Sequence, residues 1–185
     1  MNMKKVLIIV PAFNEEANMA ALFKNLCTPG IQSFADILVV NDASMDQTGY
    51  IAKTFDVTVV THVFNLGYGS ALQVGYKYAV RWGYDYVIQI DADGQHNISN
   101  IAHIYQCLTT PDAEGNLPDI VIGSRFVEGS QSFKVSGLKK FSLGMYSWMI
   151  KKITGKTITD PTSGLQGLSR RAFTYYSNFG NFDYY

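Results

Sequence analysis

The sequence predicts an α/β fold with a mainly parallel central sheet flanked by helices on both faces. Three observations predict it. Short continuous apolar runs recur along the chain, segments with helical spacing separate them, and each run opens into a polar loop carrying Asn, Asp or Gly. A strand covered on both faces has to be apolar throughout, and strand–helix alternation is the pattern of a parallel sheet.

The elements follow in order. VLIIV (6–10) is the first strand, and the opening MNMKKVLIIVPAFNEE is too short in its apolar run for a secretory leader. Asn14 offers an N-cap for the helix in EEANMAALFKNL, with Glu15 and Glu16 in the first turn where the helix dipole favours acids. DILVVND (36–42) is the second strand, MDQTGYIAKTF has helical spacing, and VTVVTHV (57–63) is the third strand. A long helix over 69–82, a strand over 84–90, a helix over 98–108 and a fifth strand, DIVIGSRF (119–126), complete the alternation. From about Glu128 the rhythm breaks into the loop EGSQS, a long helix, TITDPTSGLQGLS and a last short helix. Residues 1–185 read as a single domain, with 1–127 as one half and 128–185 as the other. The end at NFDYY predicts a C-terminal continuation.

Composition narrows the function classes. With 15 basic and 15 acidic residues the chain is net neutral, so nothing steers it towards nucleic acid. Cys27 and Cys107 lie far apart in apolar stretches, which predicts buried reduced thiols and a cytoplasmic location. FSLGMYSWMI (141–150), with lysine pairs on either side, supports two readings. It is a helix lying peripherally on an anionic membrane at its inner face, or a helix buried on one face with solvated lysines, and the second is preferred. Trp82 and Trp148 read as core or interface anchors, His62 and His103 as structural. The sequence also admits a homo-oligomer.

The chemistry gathers where a parallel sheet binds ligands, outside the carboxyl ends of its strands. The strands deliver PAFNEE, NDASMDQT, HVFNLGYGSA, DADGQH and GSRF to that rim. Asp42, Asp91 and Asp93 therefore converge, beside loops whose glycines let a ligand approach the backbone. With 11 aspartates in the chain, chance alone supplies about 0.65 Asp-x-Asp pairs. A pair at the tip of a buried strand is less expected. Two carboxylates so close repel unless a cation lies between them, and carboxylate oxygens suit Mg²⁺ or Mn²⁺. The competing reading is a pair of solvated loop aspartates capping the next helix.

The blocks PAFNEE, VVNDASMDQT, NLGYGSALQVG, IQIDADGQH, IGSR and DPTSGLQGLSR, in this order, resemble the inverting family 2 glycosyltransferases with the GT-A fold. Among them they are most similar to the branch of dolichol-phosphate mannose synthase and bacterial polyprenyl-phosphate and surface-polysaccharide transferases. The resemblance implies a UDP- or GDP-type nucleotide-sugar donor, a lipid-linked or saccharide acceptor, and Mg²⁺ or Mn²⁺. It implies that Pro11, Phe13 and Glu15 line the nucleobase pocket, with Asp42 bonded to the base or ribose. Gly67, Asp91 and Asp93 would face the nucleotide-sugar, and Asp91, Asp93 and Gln95 the metal. Ser124, Arg125 and Lys140 would take the acceptor, and Asp160 would be a general base for an acceptor hydroxyl, unless it merely opens the turn before Pro161. Two positions depart from the family pattern. Leu72 stands where many relatives carry an arginine near the diphosphate, and lysine (Lys139 or Lys140) stands where the branch uses a second phosphate-binding arginine.

Two alternatives stay open on the residues alone. DADG also resembles the strand-end signature of haloacid-dehalogenase-like, Mg²⁺-dependent phosphohydrolases. A non-catalytic nucleotide-sugar-binding module of the same fold would keep the same aspartates.

Overall fold

The computed structural model describes residues 5–94, 97–124, 145, 148–149, 151–153, 155, 160 and 163–179. Its elements run β1 (Val6–Ala12), α1 (Glu16–Leu26), a short α2 (Pro29–Gln32), β2 (Ala35–Asn41), α3 (Thr48–Ala52), β3 (Thr58–Thr61) and α4 (Tyr68–Trp82). They continue with β4 (Tyr86–Gln89), α5 (Asn100–Thr109), β5 (Ile120–Ile122), β6 (Gln166–Ser169) and α6 (Arg170–Phe179). The strands form one sheet in the order β3-β2-β1-β4-β6-β5. The first four positions are mutually parallel, and β6 is antiparallel to both of its neighbours.

The continuous apolar run of β1 has the predicted cause. Every residue of the strand is buried, and alternate side chains serve opposite layers. Val6, Ile8 and Val10 pack with Met19, Leu22 and Phe23 of α1 and Ile101 and Ile104 of α5. Leu7 and Ile9 pack with Leu72 and Tyr76 of α4 and Phe173 of α6. Each such side chain taken from water contributes about 1.5–3 kcal/mol, so neither face of β1 tolerates a polar residue. Gly75 lets α4 lie directly on this strand, since a Cβ there would stand 2.7 Å from Ile9. The helix stops at Gly83, whose left-handed backbone (φ 76°) turns its N–H onto the carbonyls of Ala79 and Val80.

The structure corrects several expectations. Within TITDPTSGLQGLS, to which the sequence assigns no element, Gln166–Ser169 enters the sheet as β6. The strands over 57–63, 84–90 and 119–126 are shorter than expected among the described residues, and 125–126 lie outside them. Asn14 does not cap α1. It adopts a left-handed φ of 54°, and its Oδ1 accepts the Met45 N–H at 2.9 Å. The helix N-terminus is closed instead by the loop after β2, with Glu15 N donating to Thr48 Oγ1 (2.7 Å) and Glu16 N to Asp46 Oδ2 (3.1 Å). Both cysteines are free but only half-buried. Trp82 and Trp148 are exposed, so neither anchors the core. Met145, Met149 and Ile153 are exposed as well, while the other apolar residues of 141–150 lie outside the described residues, so neither reading of that segment is decided.

Candidate active site

The carboxyl ends of β1, β2 and β4 meet at one rim, and hydrogen bonds join their loops into a single unit. Asp42 N donates to Ala12 O at 2.9 Å, continuing the β1–β2 ladder past the strand ends. Asn14 N donates to Ser44 Oγ (3.0 Å), and Gln47 N to Glu16 Oε2 (2.9 Å). The polar residues after each apolar run therefore satisfy the backbone groups that the loops leave open. A rim built this way holds its side chains still.

Within it lies a cavity of about 370 Å³. Pro11, Phe13 and Glu15 line it from the β1 side, and Asp42 from β2. Gly67 contributes from the loop before α4, and Asp91 and Asp93 from the loop after β4. These are the residues that the family resemblance brings to the donor, and the fold places all of them around one space. Ser124 is half-buried at the end of β5, and Asp160 is fully buried. Gln95, Arg125, Lys139 and Lys140 lie outside the described residues, as does His96.

Asp42 is almost fully committed. Its Oδ1 accepts the Leu66 N–H at 2.8 Å and faces His62 Nδ1 at 2.7 Å, while Oδ2 accepts the Gly67 N–H at 2.8 Å. A carboxylate offers about four acceptor positions, so one is left for a ligand. Asp42 thus shapes the loop 62–67 as well as facing the cavity. His62 is structural, as expected, but it buttresses a site residue. Its ring is 8% exposed, and Nε2 has no hydrogen-bond partner among the described residues.

Tyr68, which the sequence reading passed over, also lines the cavity. It begins α4 directly after Gly67, whose φ of 85° turns the chain into the helix. Its Oη donates to Asp91 Oδ1 at 2.8 Å. Burial, and then the Asp91 charge and hydrogen bond, push the phenol's pKa up, so it stays a donor. The signal for Tyr68 was its place in GYGSA, next to a glycine already assigned to the site.

Among the described residues no three His, Cys, Asp or Glu side chains form a metal cage. Asp91 and Asp93 alone still suit a hard divalent ion of the Mg²⁺ type. Such an ion binds through one or two carboxylates, keeps several waters and takes substrate phosphate oxygens. The donor chemistry fits.

The family model of Glycosyl transferase family 2 matches residues 7–176. An uncharacterised protein of Methanocaldococcus jannaschii is 34% identical over 94% of this chain and 66% of its own length. The UDP-N-acetylglucosamine–dolichyl-phosphate N-acetylglucosaminyltransferase of Methanococcus voltae is 30% identical over 91% of this chain and 71% of its own length. The chain thus spans about two thirds of these relatives. Among solved structures, glucosyl-3-phosphoglycerate synthase from Mycobacterium tuberculosis, in complex with Mn²⁺, UDP and phosphoglyceric acid, superposes with a TM-score of 0.68. The two share 19% identity, with 91% of this chain and 56% of that one covered, so the likeness is one of fold. The phosphohydrolase alternative left open by DADG is overturned by the family match.

Proposed function

The chain belongs to glycosyl transferase family 2, and from that premise we propose that it transfers a sugar from a nucleotide-diphosphate donor to a phosphate-bearing lipid acceptor, with inversion. The observation that carries this reading is the single cavity shared by Pro11, Phe13, Glu15, Asp42, Gly67, Asp91 and Asp93. Pro11, Phe13 and Glu15 form the base end, and Asp42 offers its remaining acceptor position to the base or ribose. The first turn of α4, which follows Gly67, brings backbone N–H groups and a favourable helix dipole to the diphosphate. Asp91 and Asp93, with Gln95, would hold Mg²⁺ or Mn²⁺, which neutralises the departing nucleoside diphosphate when bound. Ser124, Arg125 and Lys140 form the acceptor side. The name of the Methanococcus relative, with its dolichyl phosphate, supports a lipid-phosphate acceptor.

Asp160 divides two versions of the chemistry. A saccharide hydroxyl needs a base, and Asp160 would supply it. A lipid phosphate is already anionic and needs none, leaving Asp160 to hold its loop. Full burial of Asp160 favours the second version. The test supplies UDP- and GDP-sugars with Mn²⁺ and either a polyprenyl phosphate or an oligosaccharide. Nucleoside diphosphate release that depends on the polyprenyl phosphate, with sugar recovered on the lipid in inverted configuration, is the expected result. Release that depends only on the oligosaccharide overturns the acceptor assignment. Binding of donor with no turnover on any acceptor returns the reading to a non-catalytic module.

A lipid acceptor implies contact with a membrane. Among the described residues no helix is long and apolar enough to cross one. Met145, Trp148, Met149 and Ile153 are nevertheless exposed at helical spacing beside Lys151 and Lys152, and Lys152 Nζ sits 5.1 Å from the Trp148 ring centre. The surrounding segment 129–159 has six lysines and no acidic residue in a chain of zero net charge. In the proposed function this face rests on the anionic cytoplasmic leaflet, where each lysine contributes about 1 kcal/mol. The protein is expected to sediment with vesicles of 30 mol% phosphatidylglycerol, roughly, and less so at high salt. Lys151→Glu/Lys152→Glu should lower that binding at least about tenfold. Equal binding to neutral vesicles contradicts the electrostatic part, and no binding to either contradicts the docking.

A further inference from the structure

Gly164 stands against the metal-side carboxylate. A Cβ at this position would overlap the Asp91 carboxyl group itself. The backbone of Gly164 is not in the left-handed region, so conformation does not demand glycine there. What demands it is the space that Asp91 fills. The residues on either side are pinned. Ser163 Oγ donates to Gly123 O at 2.6 Å, Gly123 N donates to Leu165 O at 2.8 Å, and Gln166 Nε2 donates to Ser163 O at 2.9 Å. The loop therefore cannot withdraw from Asp91 without breaking its attachment to the end of β5. The Tyr68 hydroxyl donates to Oδ1 of the same carboxylate.

We propose that Gly164 and Tyr68 are positioning residues that clamp Asp91 between the acceptor-side loop and the N-terminus of α4. Gly164 supplies steric contact with no side chain, and Tyr68 supplies a directed hydrogen bond. The clamp has a consequence for the site. Residues 123–124, which lead to Arg125 on the acceptor side, are tied through Ser163 and Leu165 to the same loop that touches Asp91. A shift on the acceptor side is thereby passed to a donor-side carboxylate through these hydrogen bonds and the Gly164 contact. Fixing a ligand's rotamer in this way is what a preformed site requires.

The steric half of the proposal stands by itself, whereas the ligand-binding half rests on the reading of Asp91 as a metal and donor residue. The test treats the two separately. Melting temperatures are measured for Gly164→Ala, Asp91→Ala and the double variant. The expected result is a drop of several degrees for Gly164→Ala that disappears in the Asp91→Ala background, because the overlapping atoms are gone. Additive shifts, or a Gly164→Ala protein that melts with wild type, overturn the steric clamp. UDP affinity is then titrated with and without Mn²⁺ for wild type, Gly164→Ala and Tyr68→Phe. Gly164→Ala should lose at least about tenfold and Tyr68→Phe about threefold or more of the Mn²⁺-dependent affinity, in the range of other supporting residues around metal ligands. Affinity without Mn²⁺ should stay within about twofold in Gly164→Ala. Tyr68→Phe serves where Gly164→Ala does not fold. Wild-type Mn²⁺ dependence in both variants overturns the positioning role. If wild type itself shows no Mn²⁺ dependence, the metal reading of Asp91 fails and the melting cycle alone decides the clamp.

Discussion

Replacing Asp93 with alanine is expected to abolish the Mn²⁺-dependent part of nucleotide binding and to cut sugar transfer by more than about 100-fold. Supporting residues around metal ligands are worth about 10–100-fold, and a direct ligand should exceed them. The fold should survive. Asp93 sits half-buried in the loop after β4, beyond the last paired residue Gln89, and the packing here belongs to its neighbour Ala92, 4% exposed. A melting temperature close to wild type, combined with lost metal dependence, separates a ligand from a structural residue. An Asp93→Ala protein that binds UDP with undiminished Mn²⁺ dependence would sink the assignment.

Asp42→Ala should behave in the opposite way, with a large loss of stability as well as binding. The carboxylate is 3% exposed and receives the N–H groups of Leu66 and Gly67 and a nitrogen of His62. Removing it strands these groups, each at roughly 1–3 kcal/mol where water does not reach. A total near 3 kcal/mol lowers the melting temperature by about 6–12 °C in a chain of this size. Asp42→Asn keeps one acceptor oxygen and turns an NH₂ towards a backbone donor, so it should recover only about half of the loss. UDP affinity should fall at least about tenfold in both, because the loop 62–67 loses its anchor. Thermal denaturation checks the first effect and UDP titration the second. A melting point for Asp42→Ala within about 1 °C of wild type would show that the loop holds its shape without this carboxylate.

These two aspartates illustrate what was legible in the sequence. VLIIV and the ILVV of DILVVND announce strands covered on both faces, because only full burial explains unbroken apolar runs, and β1 throughout and β2 at every residue but Asp36 have that burial. Once the strands are placed, the rule that ligands bind at their carboxyl ends brings Asp42, Asp91 and Asp93 together without further information. The strand β6 was not legible for a matching reason. Its residues Gln166, Gly167, Leu168 and Ser169 include one large apolar side chain, and it exists because β4 and β5 supply partners on both sides. Gly167 fits it to α5, since a Cβ there would run into Ile104 and Leu108. Such a strand is dictated by its neighbours rather than by its own pattern. The clamp on Asp91 was hidden similarly, because a glycine 73 positions later in sequence carries no mark of the carboxylate it accommodates. His62 was visible in HVFNLGYGSA, but only contact with Asp42 shows its use.

In the proposed function Asp91 and Asp93 would hold a divalent ion that neutralises the nucleoside diphosphate. The most direct measurement is a calorimetric titration of UDP and of GDP into the protein, with Mn²⁺ and with a chelator. One of the two nucleotides is expected to bind at least about tenfold more tightly with Mn²⁺, and Asp93→Ala is expected to erase the difference. Binding of neither nucleotide, or binding that Mn²⁺ leaves unchanged, would contradict the proposed function.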